Sequence, residues 1–375
     1  MNPKTIMVVA GDPSGDALAA GLTRALAAAR PASRFIGAGG PDMAGAGVAN
    51  SFDLTADAVI GLSDVLPKLL RFIRHKRQLT RLALEQKPEL IIHVDFEFFN
   101  RWLARAIRRQ APPGWRPKIV KYVSPQVWAS RPGRASKMAG DFDLLLCLFP
   151  FEKDWYARHV PGLHVEFVGH PMFDRFAAPA RKPSREPVVL LLPGSRRAEL
   201  KRHLPVILGA ATLIAAKHAA RFKLVAPSEE MAALARASLG GAGPEIAIQA
   251  GHVEEALSEA TVAIASTGTV TLECAYFAVP TVALYKTSLP TYLLARRMVT
   301  VNYLAMPNLL ANEPLYPEFI QHEATAANIA GAALELLANP ARRQEIQAKL
   351  ARIISTLGGP GAAQRAAAAI LKLEA

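Results

Sequence analysis

Cysteine is nearly absent from this chain. Cys147 and Cys274 are the only two in 375 residues, and two thiols cannot build a disulfide framework. Both sit in apolar surroundings and read as small buried core residues, which fits a reducing, cytoplasmic compartment. Long hydrophobic runs are missing too. The apolar stretches, such as Leu144–Phe149, stop at the length of a core strand, so none is expected to span a bilayer. The run after Lys4 ends at Gly11, too short for the apolar core of a secretory signal with its cleavage site. Aromatics make up 7% of the chain and do not interleave with the cations. No nucleic-acid motif occurs, so no nucleic-acid partner is expected. His93, His164, His170 and His252 lack metal-ligand spacing, and neither H-E-x-x-H nor C-x-x-C is present. No metal and no cofactor are expected. Neither Ser14 nor Ser195 lies in a G-x-S-x-G elbow, which argues against a serine hydrolase. Acids are in deficit: 31 Asp and Glu face 44 Lys and Arg, leaving a formal charge of +13.

That charge has three readings: nucleic acid, an anionic membrane surface, or a merely basic chain. The cations are not in a tail. They cluster in Lys68–Arg81 and Arg101–Arg109, with smaller groups at Arg181–Arg185, Arg196–Arg202 and Arg296–Arg297. In residues 58–77 they mix with apolar residues. A helix there would carry an apolar face and a basic rim, suited to a membrane surface or to a core with a solvated basic side.

What the sequence has is a repeated rhythm. Strand-length runs at Ile6–Ala10, Ser33–Gly37, Leu90–Val94, Lys118–Val123, Leu144–Phe149 and His164–Val168 alternate with helix-period stretches such as Asp16–Ala29 and Leu66–Gln86. Residues 175–187 carry several prolines and no apolar periodicity, and read as a linker. The rhythm then restarts at Val189–Leu192, Phe222–Ala226, Glu245–Gln249, Thr261–Ala265 and Thr281–Tyr285, with helices such as Leu204–His218 between. This predicts an α/β protein of two doubly wound, Rossmann-like domains facing a cleft, residues 1–174 and 188–357. A last helix, within 358–375, follows Gly358-Gly359-Pro360 and is a candidate to pack back on the first domain.

Each half opens on a glycine-bearing loop after a buried strand. A strand, a small-residue turn and a helix start aim backbone N–H groups at one spot. Gly11-Asp12-Pro13-Ser14-Gly15-Asp16 carries two acids, so it suits sugar hydroxyls better than phosphate; it also reads as a plain structural turn. Pro193-Gly194-Ser195-Arg196-Arg197 suits a diphosphate, through close backbone approach, a hydroxyl and two guanidiniums. The alternative is an ordinary basic turn. Ser266-Thr267-Gly268-Thr269 is a third such turn, suited to phosphate or to simple N-capping. Glu273, one turn into the helix that follows, could accept both hydroxyls of a ribose. Asp95 ends the strand Leu90–Val94, where a carboxylate can act as general base or cap a helix; Glu97 is a nearby competitor.

Several of these residues fall in longer motifs: Gly11–Asp16, Gly39-Gly-Pro-Asp-Met43, Val94-Asp95, Tyr122-Val-Ser-Pro-Gln-Val-Trp128, Phe149-Pro-Phe-Glu152, Phe167-Val-Gly-His-Pro171, Leu192–Arg196 with Glu199, Ser266–Thr269 with Leu272-Glu273, and Met306-Pro-Asn-Leu-Leu310 with Pro317-Glu-Phe319. In this order they closely resemble the lipid-A-disaccharide synthases. The resemblance implies a metal-independent, inverting GT-B glycosyltransferase. It would condense UDP-2,3-diacylglucosamine with 2,3-diacylglucosamine 1-phosphate at the cytoplasmic face of the bacterial inner membrane, as a peripheral protein and a candidate homodimer. It further implies Asp95 as general base, with Asp12 beside it as the second catalytic candidate. Arg196, Glu273 and Asn308 would bind nucleotide or substrate, and Ser14 and Asp16 match the first glycine loop. Three departures stand out. Asp12 replaces a usual glutamate, Pro13 a small hydroxyl residue, and Phe96-Glu97-Phe98-Phe99-Asn100 a pattern that normally carries proline in place of Glu97. Three rivals remain at this point: another UDP-sugar transferase or epimerase on the same scaffold, a non-catalytic UDP- or lipid-binding relative, and, third and least supported by the motifs, a nucleic-acid binder.

Overall fold

In the computed structural model, residues 4–57, 65–130, 132–176, 184–240 and 243–373 are described. The chain divides into two compact units, residues 1–175 with 357–375, and residues 176–356. Of the linker stretch 175–187, residues 177–183 lie outside the described residues, as do residues 58–64 of the basic, apolar segment.

The first unit is built on β1 (Thr5–Ala10), β2 (Arg34–Gly39), β3 (Ala49–Asp53), β4 (Leu90–Val94), β5 (Lys118–Tyr122), β6 (Leu144–Cys147) and β7 (Val165–Phe167). Its helices are α1 (Pro13–Ala29), α2 (Pro41–Gly45), α3 (Val65–Gln86), α4 (Glu97–Gln110), α5 (Pro150–His159) and α6 (Met172–Arg175). The second unit has β8 (Val188–Leu192), β9 (Arg221–Ala226), β10 (Ile246–Ala250), β11 (Val262–Ser266), β12 (Thr281–Tyr285) and β13 (Glu318–Ile320). Its helices are α7 (Arg197–Ala215), α8 (Glu229–Ala237), α9 (Val253–Glu259), α10 (Thr269–Tyr276), α11 (Leu289–Met298), α12 (Met306–Ala311), α13 (Ala326–Ala338) and α14 (Pro340–Ser355). A last helix, α15 (Ala362–Leu373), belongs to the first unit.

All strand pairs are parallel. The sheet orders are β3-β2-β1-β4-β5-β6-β7 and β10-β9-β8-β11-β12-β13. Central strands such as Leu90–Val94 and Val188–Leu192 are buried throughout, because helices cover both faces of a parallel sheet. The strands that apolar runs did not mark are both at sheet edges. β3 alternates exposed and half-buried residues, and β13 is three half-buried residues long. Cys147 and Cys274 are free and buried.

Strand order reverses between β1 and β4 in one sheet and between β8 and β11 in the other. At such a point the flanking connections leave for opposite faces and open a crevice at the carboxyl ends of the strands. The expected site loops follow these four strands. Elsewhere, two of the motifs interlock as structure. Trp128 Nε1 donates to Glu152 Oε1 at 2.9 Å, and the other Glu152 oxygen accepts the amides of Leu148 and Phe149. Burial pushes the Glu152 carboxyl up to about 7.

α15 is held by polar contacts within its unit. The Asp174 carboxylate accepts from the amides of Gly361 at 2.5 Å and Ala362 at 2.9 Å, capping the helix from a distant segment. Arg365 donates to the carbonyls of Val168, Gly359 and Pro360. The helix packs on α1. Asp174→Ala should therefore cost ~1–3 kcal/mol of stability, read as a lowered midpoint in chemical denaturation, with faster protease cleavage between residues 357 and 361.

Candidate functional site

In the first unit, α1 begins directly after β1. Asp12 is its N-cap: Oδ1 accepts from the Gly15 amide and the Ser14 hydroxyl, both at 2.7 Å. Pro13 stands in the first turn, where its missing N–H costs nothing. Gly11 has to be glycine here, since a Cβ would overlap the Phe96 ring. That contact locks the β1 loop against the β4 loop. Asp12 and Asp95 are thus neighbours at the switch point, each half-buried, with Ser14 exposed beside them.

Asp95 and Phe96 both adopt left-handed backbone, each with φ near 45°. Non-glycine residues pay strain for this, so the turn must be held by its surroundings. Asn100 Nδ2 donates to the carbonyls of Val94 at 3.1 Å and Asp95 at 2.7 Å. Lys121 Nζ donates to the same Asp95 carbonyl. Burial raises the Asp95 carboxyl above the usual carboxylate range; the Lys121 ammonium opposes this and Asp12 adds to it.

Asp16, which matches the first glycine loop, is 2% exposed. Its Oδ1 accepts from the amides of Gly40 at 2.7 Å and Met43 at 3.3 Å, and its Oδ2 from Asp42 at 2.9 Å. The carboxylate caps α2.

In the second unit the loops after β8 and β11 also converge. Gly194, at φ 116°, lies so close to its neighbours that an added Cβ would be 2.8 Å from Glu199 Oε2 and 3.2 Å from Ser266 Oγ. Arg196 is the N-cap of α7; its side chain is 63% exposed and paired with Glu199 at 3.0 Å. Ser195 is exposed. Ser266 is buried at the end of β11, and the Thr267 amide is committed to the Leu284 carbonyl. Gly268, at φ 135°, caps α10, so the first free amides there belong to Gly268 and Thr269, both exposed. Glu273 is buried one turn further on, 7% exposed.

His203 was not singled out by its sequence context. It is fully buried; Nε2 accepts from the Lys286 amide at 2.9 Å and Nδ1–H donates to the Pro193 carbonyl at 2.8 Å. Burial lowers its basicity. It ties the Gly194 turn to the end of β12, and only the fold could reveal that, since its partners are 10 and 83 residues away.

Asn308 is 0% exposed. Nδ2 donates to the Tyr316 carbonyl and to Glu318 Oε1, each at 2.8 Å, and Oδ1 accepts the Tyr316 amide at 2.8 Å. Glu318 in turn accepts the amides of Leu304 and Ala305. The Met306–Leu310 and Pro317–Phe319 motifs therefore brace each other. Asn308→Leu keeps the volume but strands the Tyr316 amide, and should destabilise the second unit by ~2–4 kcal/mol in thermal or denaturant unfolding.

Among the described residues, no group of three or more His, Cys, Asp or Glu is placed to hold a metal ion, and no helix is long and apolar enough to cross a membrane. The model of the lipid-A-disaccharide synthetase family matches residues 6–373. A lipid-A-disaccharide synthase from Syntrophus aciditrophicus (strain SB) is 35% identical over 384 residues, spanning 100% of this chain and 98% of its own. Among solved structures, CalG4, the calicheamicin glycosyltransferase, aligns with TM-score 0.61 at 17% identity, covering 100% of this chain and 98% of its own. MurG of Acinetobacter baumannii aligns with TM-score 0.59 at 15% identity, covering 99% and 100%. At these identities the structural likeness is one of fold. The match along nearly the whole sequence carries more, and disfavours the epimerase and non-catalytic readings: the chain belongs to the lipid-A-disaccharide synthetase family, and is a GT-B glycosyltransferase that forms the lipid A disaccharide from a UDP-sugar donor.

Proposed function

We propose that Asp95 is the general base of an inverting transfer and that the second unit carries the UDP leaving group. The donor is UDP-2,3-diacylglucosamine and the acceptor 2,3-diacylglucosamine 1-phosphate. The acceptor hydroxyl gives its proton to Asp95 as its oxygen bonds the donor anomeric carbon. The bond from that carbon to the diphosphate breaks, and its electron pair leaves with UDP. The observation that carries this reading is the position of Asp95. It stands at the strand-order reversal, half-buried, with its carboxyl held above the usual range by burial. A base closer in proton affinity to the hydroxyl it serves is the more effective one. Asp12 supports it from the adjacent loop by raising its proton affinity further.

Charge developing on the diphosphate would be met by Arg196, by the Ser195 hydroxyl and by the first amides of α7 and α10. Glu273 would take the ribose. With these donors the transfer needs no metal. Asp95→Asn should lower turnover by about 10²–10⁴-fold with UDP binding and unfolding midpoint unchanged. Activity that survives this substitution removes Asp95 as base. Arg196→Ala should weaken UDP binding about 10- to 100-fold in calorimetry, and full turnover in excess chelator is expected throughout.

The acylated substrates place the work at a lipid surface, and the first unit has a face suited to one. Leu70 is 74% and Phe98 80% exposed, and the exposed cations Arg71, Arg74 and Arg77 lie along the same helix as Leu70. Lys76 sits 3.8 Å over the Trp102 ring, joining α3 to α4. Such a face suits peripheral attachment to the cytoplasmic leaflet. The chain should co-sediment with phosphatidylglycerol vesicles and less with neutral ones. Leu70→Glu with Phe98→Glu should abolish this, and binding that persists in the double variant would locate attachment elsewhere.

A further inference from the structure

Beneath Asp95 lies a set of charges that the transfer reaction alone does not require. Lys121 on β5 is 1% exposed, and in the sheet register it stands beside His93 on β4. Its ammonium donates to the Asp95 carbonyl. It also lies 3.8 Å from Glu97 Oε2, an ion pair too long for a hydrogen bond. Glu97 opens α4, and its other oxygen is 3.6 Å from Arg101 Nε. Both Glu97 oxygens are shielded from solvent and accept no hydrogen bond. Arg101 is turned mainly to Asp141, at 3.0 Å, which Arg105 also binds, at 2.7 Å.

An aliphatic side chain would fill the Lys121 position without the penalty of burying an ammonium. What the lysine adds is a donor that pins a strained peptide and a positive charge under a carboxylate. That charge would be left uncompensated in the interior unless an acid met it, and Glu97 is the acid that stands there. Asn100 alone could not supply the charge, since it is neutral, and His93 cannot, since burial and the neighbouring ammonium hold it neutral with a pKa of about 3.

We propose that Lys121 and Glu97 are positioning residues for Asp95: the buried ammonium fixes the Asp95 turn and stabilises its ionised carboxylate, while Glu97 balances that ammonium. The proposal rests on Asp95 as the base. The groups facing Asp95 are Lys121 from β5, Asp12 from the β1 loop and Glu97 from α4, with Arg101 and Asp141 beyond Glu97. Burial raises the Glu97 carboxyl and lowers the Lys121 ammonium, while each is favoured in its charged form by the other.

The signs of the two substitutions are opposite. Lys121→Met removes a cation that favours the Asp95 carboxylate, so the acidic limb of the kcat/KM profile should move up by about one pH unit. Glu97→Gln removes an anion and leaves the ammonium unbalanced, so the limb should move down. The double variant should return toward wild type, and in each case kcat should change more than KM. The ¹³Cγ resonance of Asp95, titrated in the same variants, should shift in the same directions without reference to activity. Unmoved titrations, or shifts of one sign in both variants, would reduce the pair to a packing role. If Lys121→Met does not fold, the direction of the Glu97→Gln shift decides alone. If the resonance shifts as expected but Asp95→Asn stays active, the pair still positions Asp95 and it is the base assignment that fails.

Discussion

Between β1 and β4, and again between β8 and β11, adjacent parallel strands send their connections to opposite faces of the sheet. Everything else in the reactive parts of this molecule depends on that reversal. Elsewhere in a doubly wound sheet, the loop after each strand is crowded by the next helix on the same face. At the reversal there is no such neighbour, so side chains and helix N-termini from two loops can converge. The first unit uses this position for Asp12 and Asp95, the second for Gly194–Arg196 and Ser266–Thr269.

Convergence alone would not hold the loops in register. The first unit closes Gly11 onto the Phe96 ring and the second closes Gly194 onto Glu199 and Ser266. In both units a missing side chain lets one loop rest on another. The contacts differ in kind: an aromatic ring packs the acid pair, while a carboxylate and a hydroxyl line the basic turn. Buried polar ties then fix each loop to its sheet, Asn100 and Lys121 in one unit and His203 in the other.

The sequence made the central architecture readable because a buried parallel strand must be apolar along its whole length. β1, β4, β8 and β11 announce themselves as such runs, and the turns after β1, β8 and β11 by glycine and small polar residues. β3 and β13 gave no such run because an edge strand is covered on fewer sides. The structural ties of Asp16 and Asn308 were hidden for a related reason. A carboxylate or an amide within a motif looks the same in sequence whether it meets a ligand or a backbone amide. The Asp16 partners lie 24 to 27 residues away, and those of Asn308 eight to ten. Local periodicity does not reach either. Lys121 was silent for the opposite reason: one lysine in a strand next to a basic chain's many others carries no signal until burial is known.

Under the proposed roles, one topology supports two opposite electrostatic tasks, and burial decides which. A group that must take a proton near neutral pH gains from partial desolvation, because water stabilises the ionised carboxylate that should remain reactive. Asp95 is accordingly half-buried, and its surroundings carry a balanced set of fixed charges rather than solvent. A group that must accept a mobile, doubly charged diphosphate gains from reach and from donors open to solvent. Arg196 is accordingly exposed and tethered to Glu199, and the amides of Gly268 and Thr269 stand at an open helix start. Exchanging the two sets of residues would defeat both: a buried guanidinium without its carboxylate would be costly, and an exposed aspartate would sit too low on the proton-affinity scale to serve as base. The proposed division of chemistry between the units follows from where each sheet lets water in.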